Sequence, residues 1–274
     1  MLYSGESQVK SALSALAGQV RVQTDLVFFS GFANRQAHAA LYQLFSAPPN
    51  PYEYFVKLDA DMVLIGPDSL ANALEYAHQC QADELVIPVE DWLSEEAIYG
   101  AHIFAPGLKW KIPVDEERFV DPQPHNLRSR VLVPKGRLNF ATHNSEPRVV
   151  DAYAFGLHRG GKLLQRGAAP AEYRCRQARQ QLDLALKIRS VALRSPDRRR
   201  LAALIGYQDA LLGEDRDSGY REASRSHRAR SLESLTNVAL RQQALCFGTY
   251  PHRVRLITAR AFRCTFTRAA RLVS

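Results

Sequence analysis

No run of apolar residues in this 274-residue chain reaches the length, about 18, that a membrane-spanning helix needs. Met1–Gln8 lacks the basic-then-apolar order of a secretory signal, so the expected location is cytoplasmic. Cysteine is scarce: Cys80, Cys175, Cys246 and Cys264 stand far apart with no CxxC pair. That pattern fits reduced, buried thiols better than a disulfide framework or a zinc site. There is no internal repeat, no complete Walker-type loop, no GxGxxG, no GxSxG and no zinc-helix motif. These absences argue against a glycine-loop phosphate cradle, a nucleophile elbow and a zincin site. Gly156–Gly161 is glycine-rich, but it lies in an expected helix. What remains is ordinary globular composition, 46% hydrophobic and 23% charged, which argues against wholesale disorder and fibrous repeats. A chain of this size can bury roughly 75% of its unfolded surface, enough for a core that needs no disulfides.

The net charge of +8 is unevenly distributed. Residues 171–274 carry 21 Arg and Lys against 9 Asp and Glu, a net +12, whereas residues 1–170 carry 15 against 19, a net −4. The cations of the second part are nearly all arginine, as in Arg198-Arg199-Arg200. A basic half attracts nucleic acid, anionic lipid or phosphorylated substrates, or is simply a solvated surface. The arginine runs lack the regular aromatic interleaving of a base-stacking platform, so nucleic acid is not the expected partner.

Up to residue 90, helical and strand patterns alternate with short connections. Gln8–Leu16 has Val9, Leu13 and Leu16 at helical spacing, and Asp25–Ser30 is an apolar run that reads as a buried strand. Asn34–Phe45 carries a helical stripe (Ala37, Ala40, Leu41, Leu44) stopped by the prolines after Ala47. Tyr52–Leu58 reads as a strand, Pro67–His78 as a helix and Glu84–Val89 as a strand. This alternation predicts an α/β domain with a mainly parallel sheet, whose ligands sit beyond the carboxyl ends of the strands. Further strands are expected over Ala97–Phe104 and Arg137–Ala141, with a long loop over Pro106–Pro134 between them. Helices are expected over Arg148–Leu164, Ala171–Val191, Arg198–Leu212 and Ser231–Ala244. The expected organisation is a catalytic α/β domain over 1–170 and a basic, mainly helical region over 171–274.

The sharpest chemical signal is Tyr54-Phe-Val-Lys-Leu-Asp-Ala-Asp-Met-Val-Leu64. Two carboxylates beside an apolar strand are costly unless something compensates them. At i and i+2 around a strand end, Asp59 and Asp61 can reach one divalent cation or its waters. Oxygen ligands suit Mg2+ or Mn2+, which can neutralise a diphosphate leaving group. The competing reading is a turn in which Asp59 caps the next segment.

In Tyr3-Ser-Gly-Glu6, the helix that follows to Gln19, Ala37-His-Ala-Ala-Leu-Tyr42 and Tyr54–Leu64, the chain resembles glycosyltransferases of the nucleotide-diphospho-sugar type, in the broad family-2-like group. The resemblance covers about 1–105 well and the remainder loosely. It implies a GT-A-like, Rossmann-type mixed sheet flanked by helices and a nucleotide-diphosphate sugar as donor. It also implies a metal bridging Asp61, with Asp59, to the diphosphate. It places Ser4 and Glu6 against the nucleobase or ribose, and Arg35 and His38 near the nucleotide. In metal-dependent members a late histidine often completes the coordination set, a role for His143 with His158 as its rival. Such domains usually begin with a full apolar strand. Here only Met1-Leu2-Tyr3 occupies its place, so the expectation is a very short strand or a start farther upstream.

An inverting transferase needs a carboxylate within hydrogen-bond reach of the acceptor hydroxyl. The candidates are Asp91, after a predicted strand, and the acidic Asp115-Glu116-Glu117, of which Glu117 is taken with Asp91. Trp92 and Trp110 stack on a sugar or pack in the core. The expected acceptor is a surface glycan or a lipid-linked precursor. The basic C-terminal region would then provide peripheral contact with the inner face of a membrane. The alternatives are a nucleotidyltransferase, which shares the α/β plan and the acidic pair, and a catalytically degenerate basic module that binds membrane or nucleic acid.

Overall fold

The computed structural model describes residues 1–3, 5–32, 34–47, 51–110, 124–164, 171–212, 227–235 and 237–245. The chain separates into two compact units, Met1–Pro147 and Arg148–Ser274. The division falls before the helix expected over Arg148–Leu164, not near residue 170.

The first unit is α/β. Its elements are β1 (Leu2–Tyr3), α1 (Val9–Ala17), β2 (Phe29–Ser30), α2 (Asn34–Ser46), β3 (Phe55–Lys57), β4 (Met62–Leu64), α3 (Ser69–Gln79), β5 (Glu84–Asp91), β6 (Glu96–Phe104), β7 (Arg130–Leu132) and β8 (Ala141–His143). β1 and β2 form a parallel pair, and the other six strands form one sheet in the order β3-β6-β5-β8-β4, with β7 also on β5. That sheet is mixed: β3–β6, β5–β6 and β4–β8 are antiparallel, while β5–β7 and β5–β8 are parallel. The expected mainly parallel sheet is corrected here, and the reason is local. β5 turns into β6 through the short segment Trp92–Glu95, where Glu95 takes a left-handed backbone (φ 55°). So tight a connection forces antiparallel pairing, since a parallel crossover needs a dozen residues or more.

β5 reads as a continuous apolar run because it is covered on both faces, with Leu85, Ile87 and Val89 buried on one face beside Ile103 and Ala101 of β6 and Val86 buried on the other. α3 lays Leu70, Ala73 and Ala77 into the same core, and α1 adds Ala12. α2 packs separately, placing Ala37, Leu41, Tyr42 and Phe45 against Phe55, Phe104 and Trp110. Trp110 is a core residue: its ring stacks on Tyr42 with centroids 4.6 Å apart. Gln19 has a structural task that its position late in the segment conceals. Its Oε1 accepts the Leu70 amide, one of the N–H groups that a helix start leaves open, and its Nε2 donates to the Gly66 carbonyl just before α3.

The apolar run Asp25–Ser30 forms a strand only at Phe29–Ser30, and Leu26, Val27 and Phe28 are exposed, not buried as expected. β1 offers it two residues to pair with, so the ladder ends there. Cys80 is a free, half-buried thiol.

The second unit is helical: α4 (Val149–Leu164), α5 (Ala171–Arg194), α6 (Arg198–Leu212), α7 (His227–Ser234) and α8 (Asn237–Leu245). The single helix expected over 231–244 is two shorter ones. α4 contributes Ala152, Tyr153, Ala154 and Leu157 to the interior, where it packs on α5, α6 and α7. Gly156 and Gly160, which weaken helix propensity, are explained by α6. A Cβ on Gly156 would fall on the Ala203 carbonyl oxygen, and one on Gly206 would fall on that of Tyr153. The two backbones approach where neither chain carries a side chain. Within this unit Asp209 is buried and accepts hydrogen bonds from the Tyr153 hydroxyl (3.1 Å) and Arg228 Nε (3.0 Å). No helix among the described residues is long and apolar enough to cross a membrane.

Candidate functional site

Three strand ends of the first unit converge on His143. β8 runs parallel to β5 and antiparallel to β4, in registers that set His143 opposite Asp91 on one side and Met62 on the other. Backbone bonds clamp the junction: Trp92 N–H donates to the His143 carbonyl (3.0 Å) and Asn144 N–H to the Asp61 carbonyl (3.1 Å). This is the carboxyl end of β5, the edge at which open α/β sheets receive ligands.

The side chains form a line. His143 Nδ1 lies 2.8 Å from Asp91 Oδ1, and Nε2 lies 3.3 Å from Asp61 Oδ2. The His143 ring is buried, as are both carboxylates. Asp91 Oδ2 accepts the amide (2.9 Å) and hydroxyl (2.6 Å) of Ser94. Asp61 Oδ1 is buried and has no hydrogen-bond partner among the described residues. Burial pulls the His143 ring toward neutrality, but the Asp61 and Asp91 carboxylates outweigh it and push its pKa up to about 10. Burial likewise pushes the Asp91 carboxyl up, and His143 and Ser94 more than compensate, holding it below the usual carboxylate range.

Asp59 belongs to an adjoining group. Its Oδ1 is 2.9 Å from the Nζ of Lys57, a lysine buried at the end of β3. Burial pushes the Asp59 carboxyl up, yet Lys57, with His38 and His143 at longer range, holds it well below the ordinary range. His38 is buried on α2 with Nδ1 3.1 Å from the Tyr42 hydroxyl. The structure brings His38, Asp59, Asp61, Asp91 and His143 to one edge of the first unit. It splits the two aspartates between different partners, Lys57 for Asp59 and His143 for Asp61.

Arg35 is half-buried one turn before His38, and Glu6 is buried in the loop between β1 and α1. Ser4, Glu117 and the neighbouring Asp115 and Glu116 lie outside the described residues. His158, the alternative to His143, belongs to α4 of the second unit. From the sequence Asp91 is a candidate catalytic base. It stands at the expected strand end, but its side chain is 0% exposed and both oxygens are engaged by His143 and Ser94, so the geometry gives it another task.

Lys57, Ser94, Asn144 and Gln8 were not singled out from the sequence. Lys57 carried a signal, a cation in the apolar strand two residues before an aspartate. Gln8 carried none: its Oε1 accepts the Ser145 amide and hydroxyl, both at 3.0 Å, from 137 residues away.

Among the described residues, no group of three or more His, Cys, Asp or Glu side chains is arranged to hold a metal ion. The donor set is instead a pair, Asp61, with a buried oxygen unpartnered among the described residues, and His143 Nε2 beside it. A carboxylate and an imidazole that gives up its Nε2 proton to the incoming cation suit Mn2+ or Mg2+ when substrate phosphates and water supply the other positions. On that observation the residues fit a cation delivered with a diphosphate.

No protein-family model, characterised protein or solved structure matches this chain.

Proposed function

We propose that the first unit is a metal-dependent glycosyltransferase of GT-A-like architecture that moves a sugar from a nucleotide diphosphate to a glycan or lipid-linked acceptor. One observation carries the reading: Asp61, at a strand end, presents a buried carboxylate oxygen with no partner among the described residues, next to an imidazole nitrogen aimed at its other oxygen. A bare acceptor atom in a dry site is costly, and a ligand cation removes that cost. Bound there, Mn2+ or Mg2+ would act as a Lewis acid on the diphosphate leaving group.

The chain's own residues supply the rest. Asp61 and, once its Nε2 has released its proton, His143 would hold the cation, and Asp59, fixed by Lys57, sets the charge of the adjoining surface, where the family resemblance would put the nucleotide against Ser4, Glu6, Arg35 and His38. In the transfer the acceptor oxygen bonds to the anomeric carbon, the bond from that carbon to the diphosphate oxygen breaks, and the hydroxyl proton passes to a base. With Asp91 engaged, Glu117 and its acidic neighbours are the carboxylates to test as that base. The acceptor class, a cytoplasmic setting and membrane contact through the arginine-rich C-terminal region follow from the family resemblance and the +12 charge of residues 171–274.

Calorimetric titration of a panel of ribonucleoside diphosphates, with and without Mn2+, tests the reading on wild type and Asp61→Ala. Metal-dependent binding of one nucleotide that disappears in Asp61→Ala is the expected result. No binding by folded wild-type protein under either condition overturns it.

A further inference from the structure

Asp91 is a carboxylate that solvent does not reach, in a unit with little else to explain its burial. A buried carboxylate persists only when its oxygens are satisfied. Here the accounting is complete. Ser94 gives Oδ2 two donors, its amide and its hydroxyl, and the tight turn from β5 to β6 holds Ser94 in place. Oδ1 is left facing His143 Nδ1 at 2.8 Å. A carboxylate oxygen is only an acceptor, so this contact requires the hydrogen to be on Nδ1. The Asn144 amide nitrogen also stands against the ring, 2.9 Å from Nδ1 and 3.3 Å from Nε2. An Nδ1 that bears hydrogen cannot accept from that amide, so the shorter, charge-assisted contact with Asp91 decides the tautomer.

We propose that Asp91 is a positioning residue: anchored by Ser94, it holds the Nδ1–H of His143 and so aims Nε2 at Asp61. This deepens the proposed site, and rests on that reading only for the identity of the cation that Nε2 meets. The arrangement is that of a metal-ligating histidine oriented by an outer carboxylate, in which the outer partner fixes both tautomer and ring direction. It also accounts for the turn, because Trp92 donates its amide to the His143 carbonyl and Ser94 donates to Asp91. The segment Trp92–Ser94 thus grips the backbone of His143 directly and its ring through Asp91.

The test uses the full chain as Asp91→Asn and Ser94→Ala, with His143→Gln to assign the ring signal. Proton NMR of the metal-free protein reads the Nδ1–H of His143, and titration with Mn2+ alone reads metal affinity. We expect a slowly exchanging Nδ1–H in wild type that is lost in Asp91→Asn and exchanges faster in Ser94→Ala. We expect Mn2+ affinity to fall roughly 10- to 100-fold in Asp91→Asn, and less in Ser94→Ala. Ser94→Ala keeps the test open if Asp91→Asn does not fold. A protected Nδ1–H and unchanged Mn2+ affinity in the folded variants overturn the proposal. Wild type that takes up no Mn2+ yet loses the signal in Asp91→Asn removes the metal reading alone and leaves the positioning role supported.

Discussion

His143 and Asp91 face each other across the parallel pairing of β8 with β5, with Nδ1 2.8 Å from Oδ1, although 52 residues separate them in the chain. On its other side the same ring meets Asp61 at 3.3 Å. An imidazole between two buried carboxylates is favoured as its cation, and stability then depends on pH in a defined direction.

The His143 pKa is raised from 6.5 to about 10, so its contribution is complete below about pH 6.5 and is lost as pH rises through about 10. The Asp91 pKa is lowered from 3.8, so its contribution is present above that value and is lost as pH falls through the lowered one. Thermal unfolding of the metal-free protein should give a Tm roughly 5 °C or more higher at pH 6.5 than at pH 10. In His143→Gln most of that alkaline slope should vanish. An equal slope in wild type and variant would contradict the assignment.

Lys57 keeps Asp59 ionised. In Lys57→Met the Asp59 carboxyl should titrate higher than in wild type, because burial remains while the nearest cation is gone. Carboxyl carbon shifts followed by NMR across acid pH measure this directly. An unmoved titration would mean that His38 and His143 suffice without the lysine.

Gly206→Ala should destabilise the helical unit by about 3 kcal/mol, the upper range for overpacking, because its Cβ would fall on the Tyr153 carbonyl of α4. Gly66→Ala, whose Cβ meets only Ser69 Oγ at 3.9 Å, is the control. Urea unfolding should show a lowered midpoint for Gly206→Ala and not for Gly66→Ala.

Asp83, buried just before β5, accepts the backbone amides of Arg128 (2.8 Å) and Ser129 (3.1 Å) and the Arg128 guanidinium. Its loss in Asp83→Ala should cost about 2 kcal/mol and loosen the approach to β7. Hydrogen exchange at Arg128–Val133 should rise well above that at Leu85–Val89. Equal protection in variant and wild type would show that β7 is held by its ladder alone.

Elements with a strong local pattern were legible in the sequence. The apolar runs of β5 and β6 and the stripes of α2, α3 and α6 all lie where periodicity set them. Asp25–Phe28 misled because an apolar run identifies a strand only if a partner is available, and pairing is not a local property. α4 was legible as a helix, but not as a member of the second unit, since the partner that requires Gly156 lies on α6. At the site, Asp59 and Asp61 were visible as a spaced pair and His143 and Asp91 as residues near strand ends. Their convergence was not visible, because it depends on β8 entering between β5 and β4. Nor was the division of the aspartates, which is set by where Lys57 points.

The strand order has a consequence for vectorial synthesis. Among the described residues β4 joins the sheet only through β8, which is made almost 80 residues later. Asp61 and Asp91 therefore leave the ribosome well before the imidazole that separates them. Until His143 emerges, closing this end of the sheet would enclose two carboxylates without a cation, which is electrostatically disfavoured. A nascent chain ending between β7 and β8 should keep β4 unpaired and accessible to protease, so that translation itself sets the moment at which the site is assembled.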